Sequence, residues 1–168
     1  LVWEDKGRWF GAIADENGIV RLEWSDYQDD VTWFISTHAR GKPDDKTLTH
    51  LEQLRDEVKE YLRKKRTVFN VPLAPDGTDF QRRVWLTAAK IPYGTTCSYG
   101  ELAKKVGSPN AARAVGQTMR SNPIGIVIPC HRVIASDGTI GGFGGGTDDE
   151  TLNVKREMLE FEGYRFQE

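Results

Sequence analysis

The chain has 168 residues, 38% hydrophobic and 29% charged, with a formal net charge of −2. That length suits one domain or two small ones with a buried core, and the near-neutral balance argues against a protein that coats nucleic acid. No apolar run approaches a membrane span and no signal-peptide pattern opens the chain, so an intracellular location is expected, cytoplasmic or, in a eukaryote, nuclear.

Two cysteines, Cys97 and Cys130, form no C-x-x-C pair and have only His38, His50 and His131 beside them. A close-spaced zinc site cannot be built from that set. Two free thiols and no bound metal are expected.

Residues 8–24 predict a β-hairpin, because Val20, Leu22 and Trp24 alternate with Arg21 and Glu23 after an Asp-Glu-Asn-Gly turn. Residues 31–36 predict a further strand. From Thr49 the period lengthens: Leu51, Leu54, Val58, Tyr61 and Leu62 share one helical face, with Thr49 and Glu52 as a capping box. The basic run Arg63-Lys64-Lys65-Arg66 reads as a helix terminus, where the dipole favours cations.

Val71-Pro72-Leu73-Ala74-Pro75-Asp76-Gly77 is a linker by composition. It divides an N-terminal α+β domain (1–70) from a C-terminal domain (78–168). The second domain opens with the capping box Thr78/Gln81 and a helix burying Phe80, Val84 and Ala88. Ser98 with Glu101 caps a short helix that runs out at Gly107, and Ser108-Pro109 starts another that ends before Asn122-Pro123.

Two short helices around a glycine turn make a helix-turn-helix candidate. The second is thin: Ala111, Ala112, Ala114 and Gly116 leave Arg113 as the one long side chain, before Met119 and Arg120 at its end. Such a helix fits a narrow groove or close packing against another helix, and the two readings are compatible on different faces. Between residues 78 and 134 there are eight basic and two acidic residues, a local charge suited equally to a phosphate-facing surface and to an ordinary solvated one.

The segment that organises the domain is Gly125-Ile126-Val127-Ile128-Pro129-Cys130-His131-Arg132-Val133-Ile134. It predicts a short buried strand stopped by Pro129, with Cys130 at the strand end beside an imidazole and a guanidinium that favour its thiolate. A buried structural cysteine is the competing reading. Residues 133–140 predict a hairpin with an Asp-Gly turn, and the glycine loop from Gly141 lacks the lysine of a phosphate-binding loop, leaving Phe143 to cover a flat ligand. If His131 acts as a base it needs an orienting carboxylate, and Glu157, Glu160 and Glu162 on the last helix are the candidates.

Pro129-Cys130-His131-Arg132-Val133 resembles the active-site motif of the O6-alkylguanine-DNA alkyltransferases, the methylated-DNA–protein-cysteine methyltransferases. The resemblance extends over residues 77–163, through Ser98-Tyr99, Ala111-Ala112-Arg113-Ala114-Val115-Gly116, Met119-Arg120-Ser121-Asn122-Pro123 and Glu162-Gly163. It implies an α+β fold: a small antiparallel sheet with a helix, then a mostly helical domain with a helix-turn-helix and a short active-site strand or hairpin. It also implies direct DNA repair by a monomer that needs no cofactor and acts on double-stranded DNA. An alkyl group on O6 of guanine, or on O4 of thymine, is transferred once and irreversibly to Cys130, with the nucleotide extruded through the minor groove.

In that scheme His131, oriented by Glu162, activates Cys130 through a water, Tyr99 donates a proton to the purine, and Asn122 pins the turn before the cysteine. Arg113 fills the vacated place in the stack, with Ala111, Ala112, Ala114, Gly116 and Arg120 along the DNA. Pro129, Val133, Phe143 and Gly144 line the base pocket. Family members commonly carry Tyr before Ser or Gly where this chain has Phe143 and Gly144, which leaves the Gly144 N–H to meet O6. A helix-turn-helix regulator would explain the basic block but not Cys130-His131, and a papain-like hydrolase would place its cysteine at the start of a helix, far in sequence from its histidine.

Overall fold

The computed structural model of the chain describes residues 1–141 and 149–166 and divides into two compact units, Leu1–Asp76 and Gly77–Glu168. In the first, β1 (Val2–Asp5), β2 (Arg8–Asp15) and β3 (Gly18–Ser25) form an antiparallel sheet in that order. Lys6 and Gly7 between β1 and β2 have φ of 52° and 77°, the doubly left-handed geometry whose twist suits a two-residue hairpin. The predicted hairpin is β2–β3, and β1 adds an edge strand to it.

Residues 31–36 are not a strand but the middle of helix α1 (Gln28–His38). Val31 and Phe34 are buried three residues apart while Thr32 and Trp33 are exposed, so the apolar spacing is helical despite the β-branched residues. Asp29 and Asp30 sit in its first turn, where the dipole favours acids. The helix lies close on the sheet over Gly11, where a Cβ would come within 2.5 Å of Val31. Helix α2 (Asp45–Leu62) begins a turn earlier than expected: Asp44 caps it, accepting from the Thr47 N–H at 2.8 Å. Thr49 is already inside, its hydroxyl donating to the Asp45 carbonyl, so the Thr49/Glu52 box does not form.

Part of the stretch assigned to a linker is tied down. The Ile19 N–H donates to the Pro72 carbonyl and the Ala74 N–H to the Ile19 carbonyl, both at 2.8 Å. Glu57, buried on α2, accepts the N–H groups of Asn70 and Val71.

In the second unit, α3 (Asp79–Ala88) and α4 (Tyr99–Lys105) both start with the expected capping boxes, Thr78/Gln81 and Ser98/Glu101. Val84, Trp85 and Ala88 face inward, with Phe80 half-buried, and the Trp85 indole donates to the Thr118 carbonyl at 2.9 Å. Helix α5 (Ala112–Arg120) starts later than expected. Ser108 and Pro109 belong to the turn before it, closed by the Ala111 N–H on the Ser108 carbonyl.

Residues 125–127, expected in a strand, form turns instead. The Ile128 N–H donates back to the Ile124 carbonyl, and Ile126 takes the left-handed conformation with φ of 69°. The short strand follows the cysteine: β5 (Val133–Ile134) pairs in parallel with β4 (Cys97–Ser98), Cys97 opposite Val133. The predicted Asp-Gly turn exists, with Gly138 at φ 83° and the Ala135 N–H donating to the Thr139 carbonyl, but among the described residues no second hairpin strand answers β5. Helix α6 (Asp149–Phe161) closes the unit. No helix among the described residues is long and apolar enough to cross a membrane.

Candidate active site

Cys130 opens a single 3-10 turn, Cys130–Arg132, held at its back by the Arg132 N–H on the Pro129 carbonyl. Asn122 fixes the turns before it. Its Nδ2 donates to the Ile128 carbonyl at 2.7 Å and its Oδ1 accepts the Ile124 N–H at 3.0 Å. The parallel β4–β5 pair brings the start of α4 alongside Val133 and Ile134, so Tyr99, the first residue of α4, lies near the cysteine.

Of the three candidate carboxylates, Glu157 and Glu160 are exposed, whereas the Glu162 side chain is fully buried against His131 and Arg132. Glu162 Oε1 accepts from His131 Nε2 at 2.5 Å, and the Arg132 guanidinium donates to both carboxylate oxygens, its Nε to Oε2 at 2.8 Å. The Gly94 N–H also donates to Oε2, and Arg132 caps the Ile91 carbonyl. Burial alone would raise the Glu162 carboxyl, but the hydrogen bonds and charge of these partners outweigh it and hold the group at about 2.

Burial pushes the His131 imidazole below its ordinary value more than Glu162 raises it. A neutral ring facing a carboxylate must carry its proton on Nε2, which leaves Nδ1 as a lone pair. Nδ1 is buried without a hydrogen-bond partner among the described residues.

The Cys130 residue is half-buried and its thiol is free. Desolvation raises its pKa, partly offset by a hydrogen bond from Asn122, the charge of Lys155 and the N–H groups of Cys130 and His131. The expectation that the adjoining imidazole and guanidinium favour the thiolate is therefore corrected. His131 is neutral and Arg132 is engaged by Glu162, so the cation acting on the sulfur is Lys155.

Lys155 is fully buried on the inner face of α6, its Nζ donating to the Val133 carbonyl at 2.7 Å and the Ile140 carbonyl at 2.6 Å. Desolvation lowers it to about 8, against the opposing charge of Cys130. Sequence reasoning gave this lysine no role. Its spacing with Leu159 on that face was the available signal. Burial, then the nearby Cys130 charge, raises the Tyr99 hydroxyl, so it stays protonated at neutral pH.

On α5, Val115, Thr118 and Met119 face the core while Arg113, Ala114 and Arg120 are exposed and Ala111, Ala112 and Gly116 half-buried. The thin face is thus turned outward. Gly116 borders Tyr99: a Cβ there would lie 3.7 Å from its ring. Pro129 and Val133 are buried beside the cysteine. Phe143 and Gly144 lie outside the described residues. Among those residues no group of three or more His, Cys, Asp or Glu could hold a metal. A cleft of about 690 Å³ in the first unit is lined by Trp24, Ser25, Asp29 and Trp33 among others, with neither a cysteine nor a histidine in its lining.

The sequence model described as "6-O-methylguanine DNA methyltransferase, DNA binding domain" matches residues 79–164, and that of the ribonuclease-like domain of the same proteins matches residues 12–75. The chain belongs to the 6-O-methylguanine DNA methyltransferase family. It is 39% identical over 155 residues to a methylated-DNA–protein-cysteine methyltransferase of Shigella flexneri, covering 90% of this chain and 88% of that protein. A namesake from Mycobacterium bovis is 49% identical over 110 residues, covering 66% of this chain and 64%, just under two thirds, of its own length.

A crystal structure of Mycobacterium tuberculosis OGT in complex with DNA superposes with a TM-score of 0.74 at 35% identity, covering 96% of this chain and 90% of the other. Membership in this methyltransferase family agrees with the expected α+β class. The resemblance read from the C-terminal motifs extends into the N-terminal unit through the second match.

Proposed function

We propose that the protein repairs alkylated DNA by a single, irreversible transfer of the alkyl group from O6 of guanine to Cys130. The observation that carries this reading is the buried His131 ring. Its Nε2–H is committed to Glu162, and its Nδ1, unpartnered among the described residues, lies one residue from the half-buried Cys130. Such a ring is a base held in one tautomer, and a thiol with a raised pKa needs a base before it can attack.

In this mechanism a water carries the thiol proton to Nδ1, and the imidazolium so formed is stabilised by Glu162. The sulfur attacks the alkyl carbon, a carbon–sulfur bond forms as the carbon–oxygen bond breaks, and the electron pair passes to the purine. Tyr99, kept protonated by burial, donates to the ring as negative charge develops. Asn122 and Lys155 hold the cysteine turn and the Val133 carbonyl, which with the Cys130 backbone would meet the base edge. The thioether is stable, so each molecule acts once, and no cofactor is required.

The outward, thin face of α5 supports duplex binding through the minor groove, with Arg113 entering the stack where the damaged nucleotide leaves. The Mycobacterium tuberculosis relative was crystallised with DNA. O4-alkylthymine, which presents an equivalent alkyl–oxygen bond, is a second substrate in the same scheme. The protein works as an intracellular monomer.

Incubation with free O6-benzylguanine followed by peptide mass mapping tests the transfer: a benzyl group on Cys130 is expected, and its absence would overturn the reading. Arg113→Ala should keep the rate with the free base and lose rate with duplex DNA. Equal losses on both substrates would remove Arg113 from the extrusion step.

A further inference from the structure

We infer that Gln117 reads a base pair next to the extruded nucleotide, so that repair by this chain depends on the neighbouring sequence; this rests on the minor-groove reading of α5. At 3.6 residues per turn, positions 113, 117 and 120 stack along one face. All three are exposed, while Val115, Thr118 and Met119 are buried on the opposite side. Gln117 is therefore the middle of the outward stripe, next to Gly116, whose neighbour is the Tyr99 ring.

The hydroxyls on this helix and its cap are already used. Thr118 Oγ1 donates to the Ala114 carbonyl at 2.9 Å and Ser121 Oγ to the Thr118 carbonyl at 3.1 Å. The Gln117 amide has no hydrogen-bond partner among the described residues. It is the one neutral donor–acceptor group on the stripe, flanked by Ala114 and Gly116, which leave room for close approach.

A guanidinium on this face meets phosphates or enters the stack, and neither contact distinguishes base pairs strongly. A carboxamide differs. Its NH₂ can donate to the N3 or O2 acceptor that every base pair shows in the minor groove, and its oxygen can accept only from the N2 amino group of guanine. A G·C pair thus offers two hydrogen bonds and an A·T pair one. With about 1.5 Å of rise per residue, Gln117 stands roughly 6 Å along the helix from Arg113, under two base steps away. The pair it reads lies within two positions of the lesion.

The test uses the whole chain and duplexes carrying O6-methylguanine, with G·C or A·T placed in turn at the two positions on either side. Single-turnover rates are compared between wild type and Gln117→Met, which keeps the length and helix propensity of the side chain. The sequence-dependent cost of extrusion is common to both proteins and cancels. At one flanking position the G·C to A·T rate ratio should fall about fivefold in the variant, in keeping with the loss of one base-edge hydrogen bond. Its rate with free O6-benzylguanine should be unchanged.

A ratio identical in the two proteins at all four positions would overturn the inference, as expected of a merely solvated glutamine. Arg113→Ala is run alongside. If it leaves duplex repair intact, the minor-groove reading itself fails; if it slows duplex repair while the ratios persist in Gln117→Met, only the role of Gln117 falls.

Discussion

Glu57 and Glu162 are both buried glutamates gathered by several donors, yet their networks end differently. Glu57 accepts from the Asn70 and Val71 N–H groups and from Gln53 Nε2, with Arg66 3.7 Å away. Those partners are backbone or side-chain donors that fasten the chain. Glu162 also fastens the chain, through Arg132 and Gly94, but its third partner is a ring whose far nitrogen is buried and unpaired among the described residues. A closed network of this kind holds structure. On the proposed mechanism, one that ends in a lone pair one residue from the cysteine also supplies a base.

The most drastic way to break the contrast is at the sulfur. Cys130→Ser should abolish transfer to both free base and duplex, measured by adduct mass, while folding stability stays within about 1 kcal/mol because the change is nearly isosteric.

Next come the two glutamates. Glu162→Gln strips the charge from a buried pair with Arg132 and should cost about 3 kcal/mol in urea unfolding, together with a transfer rate lowered at least tenfold. Glu57→Gln should cost on the order of 1–3 kcal/mol and leave the benzylguanine rate unchanged. Slowed transfer in the Glu57 variant would erase the distinction.

Acid sharpens it further. The folded Glu162 pKa of about 2 lies below the ordinary 4.5, so its contribution is fully present above about pH 4.5 and is lost as pH falls toward 2. It amounts to about 3 kcal/mol at most. Stability curves of wild type and Glu162→Gln should converge over that interval.

The smallest effect belongs to Lys155→Met. Loss of the cation near the thiol, and of the donor to the Val133 and Ile140 carbonyls, should slow transfer by roughly tenfold, about 1.4 kcal/mol of barrier. The gap should narrow above about pH 8, where wild-type Lys155 sheds its own proton.

Local signals were the legible ones. The Thr78/Gln81 and Ser98/Glu101 boxes depend on residues three apart and appear as read. The thin outward α5 follows from its run of small residues. Segments whose conformation is set by packing were misread. Val31 to Ser36 is rich in strand formers, yet it is helical because Val31 and Phe34 must both meet the sheet. Residues 125–129 have a buried strand's composition, but Asn122 and the 124–128 hydrogen bond fold them into turns.

The choice among Glu157, Glu160 and Glu162 needed the helix rotation and the end of α6, which no one-dimensional pattern supplies. Lys155 was overlooked because a lysine at an apolar position reads as a surface residue until its two carbonyl acceptors, distant in sequence, are seen.

The left-handed Ile126 carries a lesson for engineering. A β-branched residue with φ near 69° costs of the order of 1–2 kcal/mol, and a glycine would relieve it. The side chain is only 6% exposed, however, and removing it would forfeit about 2–3 kcal/mol of burial. Thermostabilisation schemes that swap strained positions for glycine should therefore pass over this one, since the loop leading to Cys130 is kept in shape by its packing in spite of its torsion.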